Sequence, residues 1–97
     1  MNKRQLRSIH CIQTTTGVIK QLAEYEMQHG IKQKRKHAIE SLYGSLVLHA
    51  HKLGLDVPRL GTFYKPDEYV THCDSIMAQI EQKYGTEVLA SQNTNKE

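Results

Sequence analysis

Residues 34–53 read KRKHAIESLYGSLVLHAHKL, and their apolar members Ala38, Ile39, Leu42, Tyr43, Leu46, Val47, Ala50 and Leu53 return at helical spacing. A strand would alternate every second residue, so this spacing predicts a helix with one broad apolar face from about Lys34 to Leu53. Gly54 follows as the residue suited to the left-handed turn after a helix. Gly44, inside the run, costs about 1 kcal/mol relative to alanine and is read as a point where another helix comes close.

Upstream, Leu6, Ile9, Ile12, Ile19, Leu22, Ala23 and Met27 recur at steps of three and four, with Thr16 filling the place of a missing apolar residue. That stripe predicts helix from Gln5 to Gln28, closed by His29-Gly30. The β-branched run Thr14-Thr15-Thr16 and Gly17 soften its middle, leaving one helix with a weak centre or two short helices. Downstream, Pro66, Asp67 and Glu68 suit the first turn of a third helix. Its apolar face is Tyr69, Val70, Cys73, Ile76, Met77, Ile80 and Tyr84, up to Gly85, and residues 86–90 are read as at most one further turn. Between the second and third helices, residues 55–65 contain Pro58 and Gly61 among apolar and aromatic neighbours and read as an extended, partly buried connection. The fold class is therefore all-α: three main helices, a Pro/Gly-containing loop before the last one, a single domain over residues 1–90 and a mobile tail over 91–97.

With 97 residues the chain supports one core, and 38% hydrophobic against 24% charged residues is an ordinary globular balance. No apolar run reaches the length of a membrane span, and the opening residues lack the apolar core of a secretory signal, so a cytoplasmic protein with no membrane partner is expected. Cys11 and Cys73 are expected to stay free thiols in that setting. Charge is unevenly divided: residues 1–52 hold nine Lys/Arg against three Asp/Glu, a net +6, while residues 53–97 hold four against seven, a net −3. Such polarity steers the basic half toward acidic or nucleic-acid partners, or lets the halves attract each other.

The dipeptides His10-Cys11 and His72-Cys73 invite a metal reading, but adjacent helical residues point about 100° apart, whereas helical ligands to one metal sit three or four residues apart. His49 and His51 fail for the same reason, and no metal or cofactor is expected. No glycine-rich phosphate loop or nucleophile elbow is present, so no enzymatic activity is expected. Two segments stand out instead. Lys32, Lys34, Arg35 and Lys36 place cations at the start of the second helix, where the helix dipole disfavours them. Either the acidic half balances them, or they touch phosphates or an acidic protein patch, together with Lys3, Arg4 and Arg7. The second segment holds Pro58, Arg59, Leu60, Phe63, Tyr64 and Pro66, the residue types of a protein-binding hot spot. Its bland alternative is a lid in which Leu60 and Phe63 cap the helical core.

Asp56-Val57 and Gly61-Thr62-Phe63 superficially look like the turn between helices and sheet in the histone-like HU/IHF family. That family continues into strands with basic arms, whereas this chain continues into Pro66-Asp67-Glu68 and an acidic amphipathic helix, so homology is rejected. In length, helicity, basic N-terminal half and lack of catalytic motifs, the chain is similar to the small bacteriophage anti-RecBCD recombination accessory proteins. That resemblance implies a host-cytoplasm protein that binds and modulates a RecBCD-like nuclease for a phage, and it transfers no functional residue. The resulting expectation is a helical interaction protein that engages a bacterial DNA-processing complex through residues 58–66, with at most weak non-specific nucleic-acid contact. The alternative is a small basic DNA-binding protein or transcriptional regulator using residues 1–36.

Overall fold

The protein is described by a computed structural model, which covers the backbone of residues 2–95 and the side chains of residues 2–85. Three helices form among these residues: α1 (Lys3–His29), α2 (Gln33–Lys52) and α3 (Pro66–Asn95). The chain is thus all-α with an irregular segment before the last helix. The expected domain end at residue 90 is not marked by a helix end, because α3 runs on to Asn95. Once a helix is nucleated each further residue adds a hydrogen bond, and residues 86–95 contain no proline to stop it. Lys96 and Glu97, the rest of the expected tail, lie outside the described residues.

Helix α1 is continuous through Thr14–Gly17. Its start is a reciprocal cap: the Asn2 side chain accepts the Gln5 N–H at 2.8 Å, and the Gln5 side chain accepts the Asn2 N–H at 3.1 Å. The soft centre survives because tertiary packing outweighs propensity there. Thr15 and Thr16 are buried, and the Thr16 hydroxyl donates to the Gln13 carbonyl one turn back at 3.0 Å. Helix α2 ends in a Schellman turn. Gly54 takes a φ of 70°, the Gly54 N–H donates to the His51 carbonyl, and the Leu55 N–H reaches back to Ala50 at 3.0 Å.

The buried positions follow a three-four alternation in all three helices. The series is Ile9, Ile12, Thr16, Ile19, Ala23 and Glu26 on α1; Ile39, Tyr43, Leu46 and Ala50 on α2, continued by Leu53 at its C-cap; and Tyr69, Cys73, Ile76 and Ile80 on α3, with Ser8, Thr15 and His72 buried beside it. This pattern lets side chains of one helix seat between those of another. Helix α1 packs closely against both of the others, backbone near backbone. Small residues on its buried face, Ser8, Thr15, Thr16 and Ala23, allow that approach. Helices α2 and α3 instead meet through long side chains. The Tyr43 hydroxyl lies 3.2 Å from His72 Nδ1, and Tyr43 meets the Tyr69 ring edge-on at 5.1 Å.

These pairings set the topology. Leu53, at the end of α2, lies beside Lys83 and Tyr84 of α3, whereas Tyr64, just before α3, lies beside Glu26 and Lys36. Helices α2 and α3 are therefore parallel to each other and antiparallel to α1. The connection must travel back along the whole of α2, about 30 Å at 1.5 Å per residue. Twelve residues, 54–65, could reach about 40 Å fully extended, so they cover that distance as an irregular, largely extended chain with room for the bend at Thr62 and Phe63.

Three expected placements differ. Met27 is half exposed and Glu26 occupies the buried position, since the three-four rhythm from Ala23 arrives at 26. Ala38 faces solvent. Gly44 is also exposed, with nothing within 4 Å of the place a Cβ would take, so it marks no helix approach. Gly44→Ala should consequently raise stability, by up to about 1 kcal/mol. Leu46→Ala should cost about 2 to 5 kcal/mol, and Leu42→Ala less, because Leu42 is only partly buried. Denaturant melts of the three variants check the order, and equal losses at Leu42 and Leu46 would contradict the packing.

Candidate functional site

The cation-rich start of α2 poses an electrostatic problem, and a buried carboxylate on α1 answers it. Glu26 is 2% exposed. Its carboxylate accepts the Lys32 N–H at 3.0 Å and the Tyr64 hydroxyl, and lies 3.9 Å from Arg35 Nε. Burying a carboxylate is costly unless it is paired and hydrogen-bonded, and here three segments supply the partners. Because α2 and α3 are parallel, both positive dipole ends face this point. Helix α2 has no side-chain cap and no acid in its first turn, so Glu26 serves from outside the helix.

Arg35 is held by more than this pair. Its guanidinium stacks 4.5 Å from the Tyr25 ring centroid and donates to the Gly30 carbonyl at 3.1 Å. At 3.9 Å the Nε is an ion-pair contact but too far for a hydrogen bond, and it has no such partner. Lys36 lies 5.5 Å from the Tyr64 ring. Lys32 and Lys34 remain exposed. Half of the basic run is thus committed to the fold, and half faces solvent.

The 54–65 connection is fastened at three places. The Gln79 amide pairs with both backbone groups of Asp56, at 2.8 Å each way. The Gly61 N–H donates to the Glu68 carboxylate, and a Cβ at Gly61 would sit 3.2 Å from that carboxylate. Tyr64 closes the segment on Glu26. Leu55 and Val57 turn toward the core, while Pro58 and Pro66 are half-buried and Arg59 is exposed. Leu60 and Phe63 do not cap the core: Phe63 is 79% exposed and Leu60 37%. The capping role falls to Tyr64, whose ring packs 5.5 Å from Tyr69.

Between Tyr64 closing on Glu26 and Lys36 stacking on Tyr64, the loop and the start of α2 become one surface. A depression of about 210 Å³ joins them, lined by Lys36, Lys65, Glu40, Glu68, Leu60 and Phe63 among others. Ile31 in the adjoining turn is 56% exposed and Met27 50%, so this end of the molecule carries a group of uncovered apolar side chains beside the exposed Lys32, Lys34 and Lys65. Lys3, Arg4 and Arg7, expected to extend the basic surface of 32–36, are instead at the far end of α1, about 40 Å away at 1.5 Å per residue.

The histidine–cysteine dipeptides do not converge. His10 is exposed and His72 buried against Tyr43, and Cys11 and Cys73 are unbridged. Among the described residues no group of three or more His, Cys, Asp or Glu side chains is arranged to hold a metal ion, and no helix is long and apolar enough to cross a membrane. Burial pushes the Cys73 thiol up to about 11, with Asp74 adding to the effect, which is the opposite of a reactive thiolate. Glu26 and the Tyr43–His72 pair are the features that sequence reasoning missed. The spacing 9, 12, 16, 19, 23, 26 was the available signal for Glu26.

Comparison with protein-family models, curated proteins and solved structures gives no match, so geometry carries the functional argument.

Burial pushes the Tyr43 hydroxyl up to about 12. Tyr64 is raised by burial and then by its bond to Glu26, and Tyr69 by burial. Tyrosines of the unfolded chain ionise near 10, so the folded state holds these protons more tightly. Their contribution is whole below about pH 10 and is lost as pH rises toward 12. Melts from pH 8 to 12 should show stability falling above pH 10. Tyr64→Phe should flatten that fall while costing about 1 kcal/mol at neutral pH. Glu26→Ala should cost about 3 kcal/mol or more, and a neutral-pH loss smaller than that of Tyr64→Phe would contradict the role assigned to it.

Proposed function

We propose that this chain is a non-enzymatic docking protein, and that the surface formed by Leu60, Phe63 and the start of α2 binds an acidic-rimmed apolar pocket on a partner protein. The observation that carries this reading is the exposure of Phe63 on a loop fastened at both sides. A large aromatic left 79% exposed loses the gain of burial, about 2 kcal/mol, unless another molecule covers it. The fastening also matters for affinity, because a pre-ordered loop loses little entropy on binding. Aromatic and arginine side chains dominate interface energetics, and Arg59 lies in the same loop. The exposed Lys34, Arg59 and Lys65 select a partner surface of negative charge.

For the partner we propose a bacterial complex that processes DNA, in the first place a RecBCD-like recombination nuclease modulated on behalf of a phage. The chain's small size, helicity and charge polarity support this identity by resemblance alone, and it is tested separately from the surface itself.

Purified RecBCD nuclease, freed of DNA, should form a complex with the wild-type chain in size-exclusion chromatography and biolayer interferometry. Phe63→Ala with Arg59→Ala should weaken it by at least about tenfold, the scale of one hot-spot loss. Lys34→Gln should change mainly the association rate and its salt dependence. Absence of any complex overturns the partner identity. A complex indifferent to the loop variant, with its fold intact by circular dichroism, overturns the docking surface.

A further inference from the structure

The far end of the molecule holds a second feature that the docking reading does not use. The first turns of α1 and the last turn of α2 border a cleft of about 580 Å³, lined by Asn2, Arg4, Arg7, Ser8, His49, Lys52 and two neighbours, none of them acidic. Arg4 and Arg7 lie three residues apart on one helix, and His49 and Lys52 three apart on the other, so each pair shares a face. Arg4, Arg7 and Lys52 are exposed, and among the described residues none of them is in an ion pair. His49 Nδ1 is 3.3 Å from the Ser8 hydroxyl, and both residues line the cleft.

The positions differ in how well the fold explains them. His49 and Lys52 suit the negative end of the α2 dipole. Arg4 and Arg7 do not suit the positive end of α1, whose first turn has no acidic residue. At the other end of the molecule the same conflict is met by the buried Glu26; here no side chain among the described residues pairs with Arg4 or Arg7. An anion placed in the cleft would face Arg4, Arg7 and Lys52 together.

We propose that this cleft binds the phosphodiester backbone of nucleic acid without reading its sequence. Three features select that ligand over an acidic protein. The cleft is partly open to solvent rather than an enclosed cavity. Among the described residues it contains no aromatic side chain on which a base would stack. Most of the large exposed apolar residues lie toward the opposite end, Phe63, Ile31 and Met27 among them, and Leu48 is the one beside this cleft. Phosphate contacts of this kind position a protein on nucleic acid and carry no base preference. The inference does not rest on the docking surface, and the two are separated by about the length of α1.

Fluorescence anisotropy with a labelled 20-base-pair duplex, titrated from low to physiological salt, tests it. Arg4→Gln, Arg7→Gln and Lys52→Gln combined should lower affinity at low salt by at least about tenfold and reduce the log–log salt slope by about 2.7, the value for three lost phosphate contacts. Lys34→Gln with Lys36→Gln, at the opposite end, should change affinity less than about twofold. Two duplexes of unrelated sequence should bind alike. Equal losses in the two variants would mean diffuse attraction to net charge and overturn the cleft. Tighter binding of a labelled oligoglutamate of matched charge than of the duplex would mean an acidic protein ligand and overturn it as well. Nuclease capture by the triple variant remains at the wild-type level if the two ends act independently.

Discussion

The Glu26 carboxylate is the point at which the three helices are tied together. It belongs to α1, accepts the backbone N–H that opens α2, and accepts the hydroxyl that closes the connection into α3. Without it the start of α2 would present Lys32, Lys34, Arg35 and Lys36 to the positive end of its own dipole with no internal answer. With it, two of those cations fold inward, Arg35 onto Tyr25 and Lys36 toward Tyr64. The same tie pulls the loop against the start of α2, and that juxtaposition makes one surface out of two separate stretches of sequence.

The second constraint is direction. Parallel α2 and α3 put both positive helix ends on one side, which favours a buried carboxylate there, and they oblige the connection to run the length of the bundle in extended form. An extended segment crossing a helix surface has unpaired backbone groups along its length. Gln79 and Glu68, both on α3, satisfy the groups at Asp56 and Gly61. The loop thereby becomes a fixed support for Phe63. At the other end α2 is finished by its Schellman turn and by Lys83 and Tyr84, which both donate to the Leu53 carbonyl. The molecule has two dissimilar ends: one with uncovered apolar side chains beside exposed lysines, the other a cleft lined by Arg4, Arg7, His49 and Lys52.

Helix positions were legible in the sequence because apolar spacing, the glycines at 30 and 54, and the proline at 66 are local signals with local causes. The all-α class and the irregular stretch before α3 follow from those alone. Within the helices the reading was coarser. It placed Met27 in the core where Glu26 lies, since a scan for apolar residues passes over a carboxylate even when the rhythm reaches it. It took Gly44 as a packing site, although a glycine's exposure depends on which face its helix turns inward.

Residue pattern by itself determined that three amphipathic helices form, where the first two stop and the third begins, and that the loop and the basic run lack a purely local explanation. Only the tertiary structure decided that α2 and α3 run parallel, that Tyr64 rather than Phe63 closes the core, and that Arg4 and Arg7 face Lys52 and His49 instead of joining the 32–36 run. The physical reason is range. Helix propensity and capping act within a few residues of chain, whereas the orientation of a helix, and so the company its charges keep, is set by side chains tens of residues apart competing to bury the same apolar area.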